Sequence, residues 1–521
     1  MSKAHDVSGV RLRAEQLLRY GSALVLLAIS MWFLILPGLL VIRAIRDPNL
    51  HDAGIPRHAL RLHWSLSPQY ERWARERVTS KQAGNLDVCN ISGTEWPVFG
   101  SVFYLWATEA LQGAWEQDHT LCACAPADAA RGAVDAAAAL VADPVHAAWV
   151  REHWGPDYLH RENVFYRSLL IAGLTSHYRL TQDGKYLDLL RDEVKALSQD
   201  LDASPHGLLD DYPGECYPTD VLTAIACIRR ADDVLGTDHA VFAARALRAF
   251  QGPLLDSTGL PPYAANSRAG RPIGPARGCG NSFMLTWAPE LWPDVAASWY
   301  ADYEAHFWQT RLGAAGFRDF PKALPNSDWY MDVDAGPVLA GYGFAACAFG
   351  VGAARANGCF DHAYPLSAEM LAISWPLPNG TLLGPRLLSD SVDAPFLGEA
   401  AILFNLTRQP IVGVAQRGGG SLPMFVYVLL ALYFGIGSLL VLIALRRVGI
   451  LRRGRKLPRV RGAPLQLVLW GGLCAAGLII GVWWSLPGGL ALLLLAQVLP
   501  RATRKSRPGQ KPRAIARASR P

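Results

Sequence analysis

The chain has 521 residues, of which 51% are hydrophobic and only 18% are charged, and these proportions exclude a disordered protein. The formal net charge is +6, but no acidic residue follows Glu399, whereas 18 Lys and Arg residues do. Residues 1–399 therefore hold 32 basic and 44 acidic residues, a net charge of −12. An acidic body with a basic end argues against a nucleic-acid binder, and we predict no nucleic-acid partner.

Uncharged apolar segments predict about four transmembrane helices. The first covers residues 20–42, behind a tail of residues 1–19, and its apolar run is too long for a cleaved signal peptide. The second covers 423–445. The third apolar stretch, 465–499, is interrupted by Ser485-Leu486-Pro487-Gly488-Gly489 and predicts a hairpin of two short spans.

Two basic segments set the predicted orientation. Eight Lys and Arg residues lie in the loop 446–464, and the tail 500–521 adds eight more. Basic loops remain in the cytoplasm, so both segments and the first tail are placed there and residues 47–420 lie outside. A single crossing of 465–499 would separate the two basic segments, which the same rule disfavours. We therefore expect a bacterial inner (cytoplasmic) membrane protein with a periplasmic main domain.

The body, residues 47–420, shows helical periodicity and almost no strand pattern after a linker at 43–56. The fold prediction is all-α, an (α/α)6 toroid of six hairpins in a ring. Long loops rich in Trp, Tyr, Pro and acids favour the toroid over a plain bundle or a solenoid with the same helix count. Eleven periodic segments are predicted, with Glu71–Arg77 as a twelfth: Val98–Gln112, Ala129–Val141, Glu162–Leu180, Gly184–Asp200, Tyr217–Leu235, His239–Leu254, Ser282–Leu291, Asp294–Leu312, Gly336–Ala356, His362–Leu371 and Gly398–Asn405.

Eight of the nine cysteines lie in the body. An extracytoplasmic position allows disulfides, and a bridge from Cys89 to Cys122 or Cys124 is expected. Cys347 lies in an apolar helical segment and is predicted to be an inert core residue. Zinc-type Cys and His spacings are missing from the sequence, so we predict no metal.

Two loops that open helices carry the first candidate site residues. Glu95 and Trp96 precede a helix, where Glu95 is either a site residue or a first-turn acid behind a Thr94 cap. The segment Arg161–Arg167 opens another helix. There, capping and a Glu162–Arg167 surface pair are the structural explanation.

The loop Asp210–Asp220 is the richest candidate. It holds four acids, two tyrosines and Cys216, and two prolines and a glycine restrict its backbone. Asp220 falls in a first helical turn, where free amides stabilise a carboxylate. Capping does not explain the crowding of Asp211 and Tyr212 beside it. Carboxyls held close together raise one pKa and so supply both an acid and a base.

Asp332 and Asp334 precede a later helix and form the last candidate cluster. Both could be helix caps, and the DxD pattern lacks the further ligands of a calcium loop. The sequence contains no GxSxG elbow and no phosphate-binding loop, so a serine hydrolase and a nucleotide fold are unsupported.

The stretch from Asp157 to Pro262 resembles the linalool dehydratase/isomerase family. The matching segments, within a similarity that covers residues 80–375, are Arg161–Tyr166, Tyr178–Tyr186, Ala203–Pro205, Tyr212–Asp238 and Asp334–Arg355. The resemblance implies an extracytoplasmic (α/α)6 barrel that acts without a cofactor on a small hydrophobic terpenoid alcohol. The known member is a soluble homopentamer, which makes a homo-oligomer an option here and the membrane spans a departure.

The resemblance also transfers site positions. The family's two catalytic cysteines fall at Asp211 and Asp220, and the acid beside the first cysteine falls at Tyr212. The Met and His of its Glu-Asn helix fall at Phe165 and Leu169. This pattern replaces thiols by carboxyls and puts thiol chemistry in doubt.

Two further positions complete the predicted site. Tyr166 matches a family residue, and Glu95 lies near the family's N-terminal tyrosine. The predicted catalytic residues are Asp211, Asp220, Glu95 and Tyr166, and the predicted substrate-binding residues are Tyr212, Phe165, Trp96, Cys216 and Asp332.

Three functions fit these features. The first is a membrane-tethered hydro-lyase or isomerase acting on a small hydrophobic alcohol. The second is a glycan-active hydrolase or lyase of the cell envelope, since six-hairpin barrels host many such enzymes. The third is a non-catalytic envelope binding protein. Fold similarity alone does not separate them. A closed apolar pocket would favour the first, and an open groove with stacked Trp and paired acids would favour the second. Absence of any pocket near Asp211, Asp220 and Glu95 would exclude both enzymes.

Overall fold

The computed structural model describes residues 2–87, 90–325, 327–452, 463–483 and 486–497. The chain divides into two compact units, one of residues 1–36 and 431–521 and the other of residues 37–430.

The described residues are predominantly helical, as predicted. The α-helices are α1 Ser2–Ser30, α2 Leu36–Ile45, α3 Arg57–Ser80, α4 Ile91–Thr94, α5 Trp96–Gln117, α6 Pro126–Ala129, α7 Arg131–Val141, α8 Ala148–Trp154, α9 Val164–Thr181, α10 Leu187–Ala203, α11 Pro218–Leu235, α12 Ala240–Ala246, α13 Gly278–Leu291, α14 Pro293–Phe307, α15 Phe344–Ala356, α16 Phe360–Ile373, α17 Leu383–Ser391, α18 Leu397–Thr407, α19 Met424–Arg452, α20 Ala463–Trp483 and α21 Leu486–Ala496. The strands are β1 Ala265–Asn266, β2 Arg271–Pro272, β3 Trp308–Arg311, β4 Ala314–Phe317, β5 Trp329–Asp332, β6 Gly336–Leu339 and β7 Tyr342–Gly343. All pair antiparallel, as β1–β2, β3–β4 and β5–β6–β7.

Two helices among the described residues are long and apolar enough to cross a membrane. One runs from Arg13 to Ile45 through α1, a π-helical turn and α2, and the other is Met424–Gly449 within α19. Both helices continue past the C-terminal ends of the predicted spans, because helical hydrogen bonding extends into the polar residues that flank each apolar segment. In the first unit the hydroxyl of Ser30 donates to the carbonyl of Gly437 at 2.8 Å.

The third apolar stretch forms α20 and α21, which pack against each other. Ser485 of the predicted break lies outside the described residues, and the other four residues of that break, 486–489, belong to α21. The basic residues of the loop between 453 and 462 and of the tail from 501 onward lie outside the described part of the chain.

Six helices of the second unit pack in a closed sequence: α5 against α9, α9 against α11, α11 against α13, α13 against α15, α15 against α18, and α18 against α5. Other helices contact them from outside, including α7 on α5 and α9, α10 on α9 and α11, α14 on α13, and α16 on α15. Local sequence explains how these helices begin and end. In α11, Pro218 occupies the first turn, and Gly236 adopts a left-handed φ of 66° directly after Leu235.

Aromatic side chains fill the space between the six helices. Phe103 of α5 stacks on Phe404 of α18 with ring centroids 5.1 Å apart, and Trp106 contacts Trp287 of α13 at 4.5 Å. Such pairs contribute about 0.5–1.5 kcal/mol each beyond the area they bury. The centre of the ring is therefore a packed core and not a channel.

A partly buried ionic network lies beside this core. Glu109 accepts from Arg179 at 2.5 Å and from Arg230 at 2.6 Å, and Arg230 also pairs with Glu290 at 3.1 Å. Arg408 completes the network by binding Glu290. Burial by itself would raise the pKa of Glu109, but Arg230 and Arg179 outweigh it and lower that pKa to about 2.

Three predicted helical segments are partly wrong. The helix predicted for Asp294–Leu312 ends at Phe307, where β3 follows. The segment Gly336–Ala356 begins as β6 and β7, and its helix starts only at Phe344. Gly336 and Gly341 have φ values of 65° and 87°, which form turns that side chains disfavour. The segment His239–Leu254 forms α12 followed by two 3-10 turns.

The remaining fold predictions concern the linker and the cysteines. The linker begins only after Ile45, and it contains a 3-10 turn at Pro48–Leu50. The described cysteines are free thiols, and Cys89 lies outside the described residues, so the predicted bridge stays a prediction.

Candidate active site

Glu95 lies at the junction of α4 and α5, and its side chain is 6% exposed. Asn90 caps α4 through its side-chain oxygen, whereas the hydroxyl of Thr94 donates to a carbonyl and caps nothing. The Tyr212 hydroxyl donates to Oε1 of Glu95. Burial raises the pKa of Glu95 to about 7, the Tyr212 bond opposes this rise, and Asp334 adds to it. Glu95 can therefore exchange a proton near neutral pH.

Asp211 connects the starts of two helices. Its Oδ1 accepts from the amide of Phe165 in the first turn of α9 at 2.9 Å, and its Oδ2 accepts from the amide of Tyr217 before α11 at 3.0 Å. A tight turn follows, in which Tyr212 pairs with Glu215 and Gly214 has a φ of 89°. Burial and then Asp220 raise the pKa of Asp211, and the two amides oppose the rise. Both oxygens are occupied, which suits a positioning role.

Asp220 occupies the first turn of α11, two residues after Pro218, and is half-buried. Within the described residues its carboxyl group has no hydrogen-bond or ion-pair partner. Burial raises the pKa of Asp220 to about 8, with further contributions from Asp334 and Glu95. The group therefore carries a proton at neutral pH and is free to donate it.

Asp334 is the third acid of the cluster and lies exposed in the turn between β5 and β6. The Tyr263 hydroxyl donates to Oδ2 of Asp334, and the Tyr263 ring packs on Tyr217 with centroids 5.2 Å apart. Exposure thus increases from Glu95 through Asp220 to Asp334. Environments that differ in this way separate the proton affinities of identical groups and allow one acid and one base.

Phenylalanine rings lie next to the carboxyl cluster. Phe99, one helical turn after Glu95, contacts Phe165 and Phe283 in edge-to-face pairs at 5.6 Å. These rings come from three different helices of the ring, α5, α9 and α13. The surface that they offer is apolar and has no hydrogen-bonding groups.

Asp332 joins the β5–β6 hairpin to the start of α13. Its carboxylate pairs with Arg277 at 2.5 Å, and Arg277 also pairs with the fully buried Asp319 at 2.8 Å. Gly278 begins α13 here, where a Cβ atom would lie 2.0 Å from the carbonyl oxygen of Arg318. Predicted for substrate binding, Asp332 is already bound to a guanidinium and holds the hairpin in place.

Tyr166 is not brought into the carboxyl cluster. It is 2% exposed, and its hydroxyl donates to the carbonyl of Val141 at 3.4 Å, toward α7. Burial and the neighbouring Tyr158 raise the pKa of Tyr166 well above its usual range. Trp96 is the half-buried first residue of α5.

Cys216 lies beside the carboxyl cluster in a buried position. Its backbone pairs with Ala265 of β1, and its side chain is 1% exposed. Burial and then Asp211 raise the pKa of the Cys216 thiol, which keeps it protonated and a poor nucleophile. Across the described ranges, no group of His, Cys, Asp or Glu is arranged to hold a metal ion.

Two site residues were absent from the predicted set. Asp334 was considered only as a cap, although its neighbour Asp332 was included, and Tyr263 was not singled out. The signal for Tyr263 was the Pro261-Pro262-Tyr263 stretch before α13. Its approach to Asp334 depends on the β5–β6 hairpin, which the sequence did not predict.

A surface groove of about 390 Å³ lies elsewhere, between α10 and α12. Val194, Leu235 and Phe242 form part of it, with Arg191, Lys195 and Arg245 also present. None of the carboxyl cluster lines this groove. Within the carboxyl cluster, the Tyr212 hydroxyl donates to Glu95 and the Tyr263 hydroxyl donates to Asp334.

No family model and no curated protein matches the chain.

Proposed function

We propose that the protein is a membrane-tethered acid–base enzyme of the linalool dehydratase/isomerase type, acting on a small hydrophobic alcohol. The observation that carries this proposal is the graded set of carboxyls, Glu95, Asp220 and Asp334, beside a surface of phenylalanine rings. An unpartnered acid that stays protonated at neutral pH is what a leaving hydroxyl requires.

The proposal includes an (α/α)6 toroid with four spans and a body outside a bacterial inner membrane. The closed sequence of six inner helices, each contacted by outer helices, supports the toroid. Two candidate spans and the basic segments of the sequence support the anchoring and the orientation. The site lies where the first turns of the inner helices meet their loops, which is where rigid scaffolds carry function.

In the proposed reaction Asp220 gives its proton to the substrate hydroxyl. The carbon–oxygen bond breaks and water leaves with the bonding electron pair, which produces an allylic cation in the apolar surroundings. Asp334, the exposed carboxylate, removes a proton from the adjacent carbon, and the electron pair of that bond forms the new double bond. Isomerisation follows instead when water adds to the other end of the cation and gives its extra proton back to the Asp220 carboxylate. After elimination the proton held by Asp334 passes to solvent, and a proton from solvent restores Asp220.

Two residues affect the reaction indirectly, because they position other residues of the site. Tyr212 holds the Glu95 carboxyl in one orientation, so that its charge lies near Asp220. Asp211 fixes the starts of α9 and α11 and thereby the position of Asp220. Tyr166, predicted as catalytic, has no assigned part in the reaction because its hydroxyl lies toward α7.

The apolar surroundings favour a hydrocarbon-like substrate over a glycan. Sugars require several hydrogen-bonding partners, and Phe99, Phe165 and Phe283 offer none. A non-catalytic envelope binding protein is the second candidate. It is favoured by the open groove between α10 and α12 and by the occupation of two acids by tyrosine hydroxyls.

A product screen separates these candidates. The purified full chain is incubated with terpenoid alcohols and envelope glycans, next to Asp220→Asn and the surface control Asp188→Asn. We expect dehydration or isomerisation of an alcohol, reduced about 10²–10⁴-fold in Asp220→Asn and unchanged in the control. Activity should fall as pH rises through about 8, because Asp220 then loses its proton. Equal activity of Asp220→Asn and wild type would remove Asp220 from the mechanism, and absence of turnover would favour the binding protein.

A further inference from the structure

The β5–β6 hairpin has two chemically different faces. Trp329 lies opposite Leu339 in the strand register, and Tyr330 lies opposite Val338. Val338 is fully buried against the body, whereas Trp329 and Met331 on the other face are 68% and 73% exposed. Opposite residues in an antiparallel pair share a face, so the outward side of this hairpin is apolar. Isolated exposed apolar residues are common, but a contiguous set needs an explanation.

Leu312 extends this apolar side at the β3–β4 turn. It is 77% exposed, and its φ of 55° is a left-handed conformation that L-residues adopt at a cost of about 1–2 kcal/mol. The turn is tied to the hairpin, because Arg311 pairs with Asp328 at 2.8 Å, directly before Trp329. The Tyr342 hydroxyl also donates to the carbonyl of Arg311 at 2.9 Å.

The same turn contacts the start of a helix that is able to cross a membrane. The amide of Phe425 in the first turn of α19 donates to the carbonyl of Gly313 at 2.9 Å. Leu312 therefore lies beside the point where the apolar helix Met424–Gly449 begins. This contact is within the second compact unit, so its geometry belongs to the body itself. Tryptophan together with aliphatic side chains, next to the start of a helix that is able to cross a membrane, is typical of a membrane interface.

We propose that an interfacial face, made of Leu312, Trp329, Met331, Val333 and Leu339, lies in the headgroup layer of the bilayer. The occupant is lipid, because the hydrogen bond to α19 fixes this face next to the membrane entry of the chain.

The face deepens the proposed function and rests on it for its catalytic meaning. The turn that joins β5 and β6 carries Asp334, and the inward side of the hairpin carries Asp332, next to Arg277. The β5–β6 hairpin would thus have lipid on its outward side and the carboxyl groups of Asp332 and Asp334 on its inward side and at its turn. A substrate dissolved in the bilayer would reach Asp334 without crossing bulk water, which specifies a membrane-partitioning alcohol.

The test measures immersion and does not depend on turnover. An environment-sensitive fluorescent amino acid replaces Met331, Leu312 or Val241, one at a time, in the full chain reconstituted in lipid nanodiscs. Val241 on α12 is the matched control because it is apolar and 68% exposed. We expect phosphatidylcholine brominated near its headgroup to quench positions 331 and 312 at least about twofold more than position 241, as for side chains inserted at the acyl boundary.

Two results would overturn the proposal. The first is equal quenching at positions 331 and 241. The second is a blue-shifted emission at 331 that persists in lipid-free protein, which would assign the face to a protein partner. Quenching of 331 and 312 in a protein that turns over no alcohol would leave the interfacial face standing and remove the proposed function, so the two failures are distinguishable.

Discussion

Replacing Asp220 by Asn is expected to make the protein more stable at pH 7 while it removes the proposed activity. The carboxyl group of Asp220 is half-buried, near Glu95 and Asp334, and within the described residues it has no compensating donor. Folding therefore works against its ionisation. Asparagine has nearly the same shape and no charge, so the substitution removes this free-energy cost. The proposed activity needs the carboxyl group and is lost with it.

The magnitude follows from the two proton affinities. The unfolded chain ionises Asp220 above its ordinary pKa of 3.8, whereas the folded state keeps the proton up to about 8. Each pH unit within that window lowers stability by up to about 1.4 kcal/mol, which gives about 4 kcal/mol at pH 7. Solvent screening of a half-buried group reduces this to about 2 kcal/mol. With an unfolding entropy of about 2.1 cal/mol/K per residue, the melting temperature of a unit of this size should rise by about 2–3 °C.

The sign of the pH dependence is fixed by the raised pKa. Below about pH 4 both states hold the proton and the variant gains nothing; the gain grows as pH rises and levels off above about pH 8. The assay is thermal unfolding of the full chain in detergent, followed by tryptophan fluorescence at one scan rate and several pH values. Asp188→Asn, at a side chain that is 97% exposed, is the control.

A variant that melts at or below the wild-type temperature at pH 7 would refute the reasoning. A gain that is equally large at pH 4 would also refute it. The first result would mean that the folded state holds Asp220 as a stabilised carboxylate, and the second that the gain does not come from ionisation of Asp220. Either would remove the basis for assigning Asp220 as the proton donor.

Three further substitutions test other parts of the structure. Tyr212→Phe removes the hydroxyl that stabilises ionised Glu95, so the pKa of Glu95 should rise above about 7, and the pH profile of activity should change because the charge of Glu95 acts on Asp220. Glu109→Gln should lower stability by about 3 kcal/mol in denaturant unfolding at pH 7, because its pKa is lowered to about 2 by two arginines. Gly278→Ala should be strongly destabilising in the same measurement, since its Cβ would lie 2.0 Å from a backbone carbonyl.

For each of these predictions a specific result would contradict it. An unchanged pH profile of Tyr212→Phe would separate Tyr212 from the chemistry. The loss in Glu109→Gln should shrink as pH falls from about 4 to 2, because its stabilisation needs the carboxylate, and a constant loss would indicate a packing effect. For Gly278→Ala the control is Gly113→Ala on α5, where a Cβ meets nothing within 4 Å, and equal stability of both variants would refute the argument.

Helix positions could be predicted well where one local rule governs them. Tyr217–Leu235 was predicted and Pro218–Leu235 is found, because proline and glycine mark its two ends. The β5–β6–β7 sheet could not be predicted, since its strands are two to four residues long and their pairing depends on distant contacts. The start of the helix predicted at Gly336 was wrong for this reason.

The structure brings some of the predicted site residues together. Glu95, Asp220 and Tyr212 were identified from acids crowded with aromatics, and the structure brings them together across 117 residues of chain between Tyr212 and Glu95. Tyr166 belonged to a promising motif, but a helix has several faces and tertiary packing turned its hydroxyl toward Val141. Asp334 joined the cluster only because the hairpin folds back beside Tyr263.

By itself the sequence determined the helical class, the candidate spans and the acidic character of the body, because periodicity, hydropathy and charge are local properties of a chain. Tertiary structure decided which acids face one another, which are held by backbone amides and which remain without a partner. Burial and the charge of distant neighbours set proton affinity, and both exist only in the folded chain. For this reason the composition could indicate a body rich in carboxyls, while only the packing distinguishes Asp220, the proposed proton donor, from Asp211, whose two oxygens are held by backbone amides.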